Sequence, residues 1–203
     1  MNANLTDERG VTAKPGSTKA RIERAALGLF CARGVDAVTT REIAAASGVS
    51  EGALYRHYPS KDSLSETMFF AIHQRLADEV ERAAQTAGAV EDRARAIVSA
   101  YARVADQDWT LFSYHLLTTH RFLPYTEDIK EKVQQSPVTI IETVIERAMA
   151  EGELPKGDAA LIAAAALGVV LQTAFHKIYG RVNGSLCDHE DTLARAVIAV
   201  LKS

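Results

Sequence analysis

Cysteine is scarce in this chain: Cys31 and Cys187 are the only two among 203 residues. Two thiols so far apart suit no clustered metal site, and free thiols of a reducing compartment are expected rather than a disulfide. The sequence also lacks a glycine-rich phosphate loop, a Gly-x-Ser-x-Gly elbow and a His-Glu-x-x-His pair. His115 and His120 are five apart and so fall on different sides of a helix. Asp188-His189-Glu190 reads as a solvated helix start, because adjacent side chains fan outward. No enzyme, catalytic residue, metal or cofactor is therefore expected.

Long hydrophobic runs are missing as well. The longest uncharged stretch, Ala159 to Phe175, holds 17 residues and falls short of the ~20 that cross a bilayer. Gln172 and Thr173 interrupt it. A helix apolar on every side but too short for lipid is expected in a core and a subunit interface. Met1 to Gly16 is polar, without the apolar centre of a signal peptide. The expected location is the cytoplasm, with no membrane partner.

Strong charge of one sign is absent overall, the formal net charge being −3. Its distribution is uneven. Residues 1–61 carry nine Lys/Arg against six Asp/Glu, and the remainder carries fourteen against twenty. The positive front of the chain is the end that would meet a polyanion.

That front contains the most informative stretch, Thr39 to Lys61. Thr39 and Glu42 have capping-box spacing. Ile43, Ala44 and Ala46 supply an apolar side, and Gly48 stands where a helix exits through a left-handed residue. Ser50 caps a second helix with Ala53 and Leu54 inside, closed by Pro59. A helix of about seven residues does not persist alone. Two of them persist when packed as a helix-turn-helix, the second helix presented to a DNA major groove. Thr40 and Arg41 sit in the first helix's opening turn, where free N–H groups favour phosphate. Tyr55, His57, Tyr58 and Lys61 surround the second helix's exit with groups able to bond phosphate oxygens. Gly52 costs a helix roughly 1 kcal/mol against alanine, so its missing side chain permits either groove approach or room for a neighbouring helix.

Thr40, Ile43-Ala44, Gly48-Val49-Ser50, Gly52, Leu54-Tyr55, His57-Tyr58 and Lys61-Asp62-Ser63-Leu64 together resemble the DNA-binding signature of the tetracycline-repressor (TetR) family. The resemblance covers residues 16–76; beyond it only the helical layout is similar. It implies an all-α protein: a flexible tail (1–15), a three-helix DNA-binding domain (16–76, reader motif 39–58) and a helical ligand-binding and dimerisation domain (77–203).

Periodicity supports that layout. Ile22, Ala25, Ala26, Leu29 and Phe30 form a buried stripe on a helix running to Arg33 and ended by Gly34. Ser60 caps a long helix with Leu64, Met68, Ile72 and Leu76 inside, reaching about Ala84. Helices follow over 91–105, 108–121, 126–135, from Pro137 to Gly152, from Asp158 to Tyr179, and from Asp188 or Asp191 to Leu201. No stretch alternates with period two.

The expected function is a homodimeric one-component transcriptional regulator, a repressor of a palindromic operator, the alternatives being a helical protein-interaction adaptor or a ligand-independent or activating DNA-binding regulator. Ser50, Glu51, Gly52 and Ala53 enter the groove with Tyr55 to Tyr58. Arg41 is a base reader for guanine; Glu51 either accepts from cytosine N4 or complements the helix dipole. Ala164, Gly168, Leu171, Leu193, Val197 and Leu201 are expected at the dimer interface, as a four-helix bundle. A small-molecule effector is expected among Tyr101, Trp109, Phe112, His115, Phe122, Phe175 and His176, although aromatics at helical spacing also build plain core.

Overall fold

Local capping signals set most of the helix boundaries in the computed structural model, which describes residues 10–123 and 136–203. Ser17 accepts from the Ala20 N–H and opens α1 (Thr18–Arg33). Thr39 and Glu42 close their capping box on α2 (Thr40–Ser47), and Gly48 ends that helix at φ 66°. Ser50 caps α3 (Glu51–His57). Ser60 accepts from the Ser63 N–H at the start of α4 (Lys61–Ala84). Then come α5 (Val90–Gln107) and α6 (Trp109–Phe122). Ser136-Pro137 opens α7 (Pro137–Ala150), and Asp158 caps α8 (Ala159–Ile178). A 3₁₀ turn over Cys187–His189 leads into α9 (Glu190–Leu201). Every regular element among the described residues is helical. The helix expected over 126–135 lies outside those residues.

The chain forms two compact units, dividing within α4 after Ile72. The first gathers α1 to α3, the front of α4 and the segment from Thr110 along α6. Its core joins Ile22, Leu27 and Phe30 of α1 to Ile43 of α2, Leu54 of α3, and Met68 and Phe69 of α4. Helix α6 was expected with the later part of the chain, yet it packs here, for identifiable reasons. Tyr114 stacks near Phe30, ring centroids 6.0 Å apart, and its hydroxyl donates to the Ser65 carbonyl at 2.7 Å. At the far end Arg121 bonds Asp36 at 2.8 Å and Asp62 at 3.1 Å.

In the second unit α9 lies against α5 and α8, and α8 against α7. Two carboxylates fasten it. Glu153 accepts from Arg93 and from the Val90 N–H, fixing the start of α5 to the turn after α7. Asp106 accepts from the Leu186 and Cys187 N–H groups at 2.9 and 2.8 Å, tying the end of α5 to the 3₁₀ turn.

Candidate nucleic-acid interface

Helices α2 and α3 are too short to hold themselves, so each is pinned by one deeply buried inner face. Ile43 and Ala44 anchor α2, and Leu54, with no exposed surface, anchors α3. The opposite faces are open. Arg41, Ser50, Glu51, Gly52, Tyr55 and His57 are exposed, and Thr40 and Ala53 are half-buried. Residues fifteen apart in sequence meet here: the Thr40 and Tyr55 hydroxyls lie 3.2 Å apart. This pair marks the seam between the amino end of α2 and the outer side of α3, where two hydroxyls can share one phosphate oxygen.

Gly52 is helical, and a Cβ built on it would meet nothing within 4 Å. No neighbour among the described residues therefore requires the side chain to be missing. The Glu42 carboxyl is held down at about 2 by the Thr39 N–H and hydroxyl, with Arg33 adding a 2.8 Å ion pair. Arg56, which the sequence reading passed over, is a further exposed cation on α3.

Two expected phosphate holders are placed differently. Tyr58 is buried, and its hydroxyl donates to Glu23 at 2.6 Å. Burial first, and then the neighbouring carboxylate, push its phenol pKa up. Tyr58 thus serves the core at the exit of α3, because position 58 falls on the same inner side as Leu54. Lys61 is half-buried and donates to the Asp36 carbonyl at 3.3 Å, although its ammonium remains at the surface.

The other residue that sequence reasoning missed is Glu23. It sits fully buried in the apolar stripe of α1. Its Oε2 accepts from the Val11 and Thr12 N–H groups at 2.5 and 3.0 Å, and its Oε1 from the Thr12 hydroxyl at 2.5 Å. Burial raises the carboxyl pKa, but the hydroxyls of Thr12 and Tyr58 and the two backbone donors outweigh it and leave it lowered. Of the segment expected as a free tail, the part from Gly10 to Ala13 is therefore tied down.

This arrangement has counterparts. The model for bacterial regulatory proteins of the tetR family matches residues 22–68, which span α1 through the front of α4. Residues 22–68 thus form a tetR-family unit. A nucleoid occlusion factor SlmA from Marinomonas is 32% identical over 59% of this chain and 59% of its own length. The chain thus spans less than two thirds of that relative. The SlmA of Vibrio vulnificus is 26% identical over 78% and 76%. A tetR-family regulator from Rhodococcus shares the fold at TM-score 0.76 and 22% identity, covering 92% of this chain and 98% of its own. FadR of Bacillus subtilis, solved in complex with stearoyl-CoA, matches at TM-score 0.70 and 14% identity over 89% and 97%.

The residues expected at an effector site fall in both units. Phe112, His115 and Phe122 belong to the first unit, where His115 stacks on Phe69 and Phe122 lies tilted against it, each with centroids 4.9 Å apart. Phe112 and His115 are buried, and Phe122 packs, partly buried, against the first unit's core. In the second unit Lys177 lies 5.0 Å above the Trp109 ring, and Phe175 stacks on Tyr179 at 6.3 Å, with His176 edge-on to the same ring. Only Tyr101 of the seven lines the second unit's cavity, a space of about 40 Å³ bounded also by Ile141, Ile145, Leu167, Val170 and Val197. Burial pushes the Tyr101 phenol pKa up.

The expected interface residues divide as well. Ala164 and Gly168 are exposed on α8 and Leu171 is half-buried. Leu193, Val197 and Leu201 are buried within the subunit, because the apolar stripe of α9 faces α5 and α8. Helix α8, at 20 residues and mean hydropathy 1.8, is long and apolar enough by length and composition to cross a membrane. Only 28% of its most apolar window is buried, and Leu161 is 67% exposed on it.

Proposed function

We propose that the protein is a homodimeric transcriptional repressor that reads a palindromic operator with α3 and releases it when an apolar small molecule enters the second unit. The observation that carries the DNA half is the exposed seam at Thr40 and Tyr55, flanked by Arg41, Ser50, Glu51, Gly52 and His57. Ala53 lies beside it, half-buried. Phosphates sit against Thr40, Tyr55, His57 and Lys61; Arg41 and Glu51 face base edges. Two copies address half-sites about 34–36 Å apart, with Kd near 10⁻⁸–10⁻¹¹ M.

The uncovered side of α8, with Leu161, Ala164, Ala165 and Gly168, supports pairing with a second copy, since a soluble helix this apolar needs cover. The effector reading is supported by the wholly hydrocarbon-lined cavity, Tyr101 aside, and by the structural neighbour described with stearoyl-CoA. At about 40 Å³ the cavity must widen to admit a ligand of ordinary size, which needs roughly 300 Å³ or more. Helix α4 runs through both units and is the route by which widening alters the readers. A complete switch requires the effector to prefer the released state by about 5.5 kcal/mol.

Footprinting of the purified protein on the promoter beside its own gene tests this reading. Protection of one inverted repeat, relieved by a long-chain acyl thioester, is the expected result. Binding that no apolar ligand weakens favours a second reading, a ligand-independent DNA-bound role, which the relatives named nucleoid occlusion factors make specific. Many dispersed chromosomal sites, rather than a few promoters, would mark that role.

A further inference from the structure

We propose that Glu23 is a positioning residue for DNA binding: it locks the segment Gly10–Ala13 to the exit of the recognition helix and so delivers Lys14 to the duplex backbone. The inference rests on the DNA-binding reading but assigns a role to residues outside the helix-turn-helix. A carboxylate with no exposed surface, standing between Ile22 and Ala26 in an apolar stripe, is costly to bury unless its oxygens are filled. A leucine would fill the same space without that cost, so packing does not account for it. The donors reveal what the carboxylate does. Oε2 collects the backbone N–H groups of Val11 and Thr12, with Ala13 at 3.4 Å, a cluster of successive amides around one anion. Oε1 takes two hydroxyls, Thr12 from the arm and Tyr58 from the end of α3.

One side chain of α1 therefore joins two segments 46 residues apart, numbered 12 and 58. Tyr58 also donates its N–H to the Leu54 carbonyl, closing α3, and Lys19 lies 5.4 Å over its ring. The fit is close: a Cβ on Gly10 would come within 2.7 Å of the Glu23 Oε2. Lys14, exposed, is the first cation after this knot. Its backbone origin is set relative to α3, whereas a loose arm would hold the same charge in no fixed place.

The test is fluorescence anisotropy of the full chain on a short random-sequence duplex across a salt series, because a phosphate contact appears there whatever the operator. Lys14→Ala is expected to weaken binding roughly three- to tenfold and to lower the salt slope by about one. Glu23→Leu combined with Tyr58→Phe removes every acceptor without leaving a buried hydroxyl orphaned. It is expected to keep the melting temperature, to lose the same affinity and slope, and to make Lys14→Ala silent when added. Thr12→Pro, at an exposed position, strips the arm of an amide and a hydroxyl donor while leaving the core alone, and is expected to behave alike. An unchanged salt slope in both released proteins, or a Lys14→Ala effect equally large with and without the knot, overturns the proposal. Failure of the unaltered protein to bind any duplex would overturn the DNA-binding reading itself, and this one with it.

Discussion

Replacing Gly52 by alanine separates folding from function at one atom. In the free subunit the new methyl group points into open space, with no heavy atom within 4 Å. The helical backbone there already suits alanine, so the change relieves the entropic penalty of glycine, worth roughly 0.5–1 kcal/mol. A chain of this size should gain about 1–4 °C in melting temperature. On DNA the expectation reverses. If the backbone of α3 closes onto a base edge or sugar at this point, a methyl group inserted there costs about 1–3 kcal/mol of overpacking. That corresponds to a loss of roughly five- to 150-fold in operator affinity. Calorimetric melting and anisotropy titration on the footprinted operator measure the two quantities independently. A Gly52→Ala protein that melts higher and binds as tightly as before refutes close approach at α3. One that melts lower refutes the reasoning about the free subunit.

Other expectations follow from single residues. Leu54→Ala empties the only fully buried side chain of α3 and should cost about 2–5 kcal/mol, read by urea unfolding. Glu42 has a folded pKa of about 2 against an ordinary 4.5, so its stabilising capping box is intact above pH 4.5 and fades as pH falls toward 2; melting of Glu42→Gln should vary less across that window. Ala165→Arg places a charge on the uncovered side of α8 and should convert a dimer to monomers in analytical ultracentrifugation, with little change in helical content. Persistence of the dimer would move the interface elsewhere.

What the sequence made legible was mostly local. Thr39 with Glu42, Ser50, Ser136-Pro137 and Asp158 announce helix starts because a cap acts within three residues. The inner stripe Leu64, Met68, Ile72 and Leu76 was readable for the same reason, and all four are buried. Partner choice was not readable. The stripe on α9 reported that a face is buried, but not that α5 and α8, rather than another subunit, cover it. The aromatics of α6 reported a core without saying whose. The role of Glu23 was not readable either, since nothing in its sequence neighbours shows that Thr12 and Tyr58 reach it from elsewhere in the chain.

The clasp formed by α6 bears on anyone who would transplant this protein's reading head. A graft of the first 76 residues onto another scaffold would leave behind Leu111 and Tyr114, which plug the core, and Arg121, which straps Asp36 to Asp62. Such a fragment would show Phe30 and Phe69 to solvent and should precipitate, unless a stand-in for that plug travels with it.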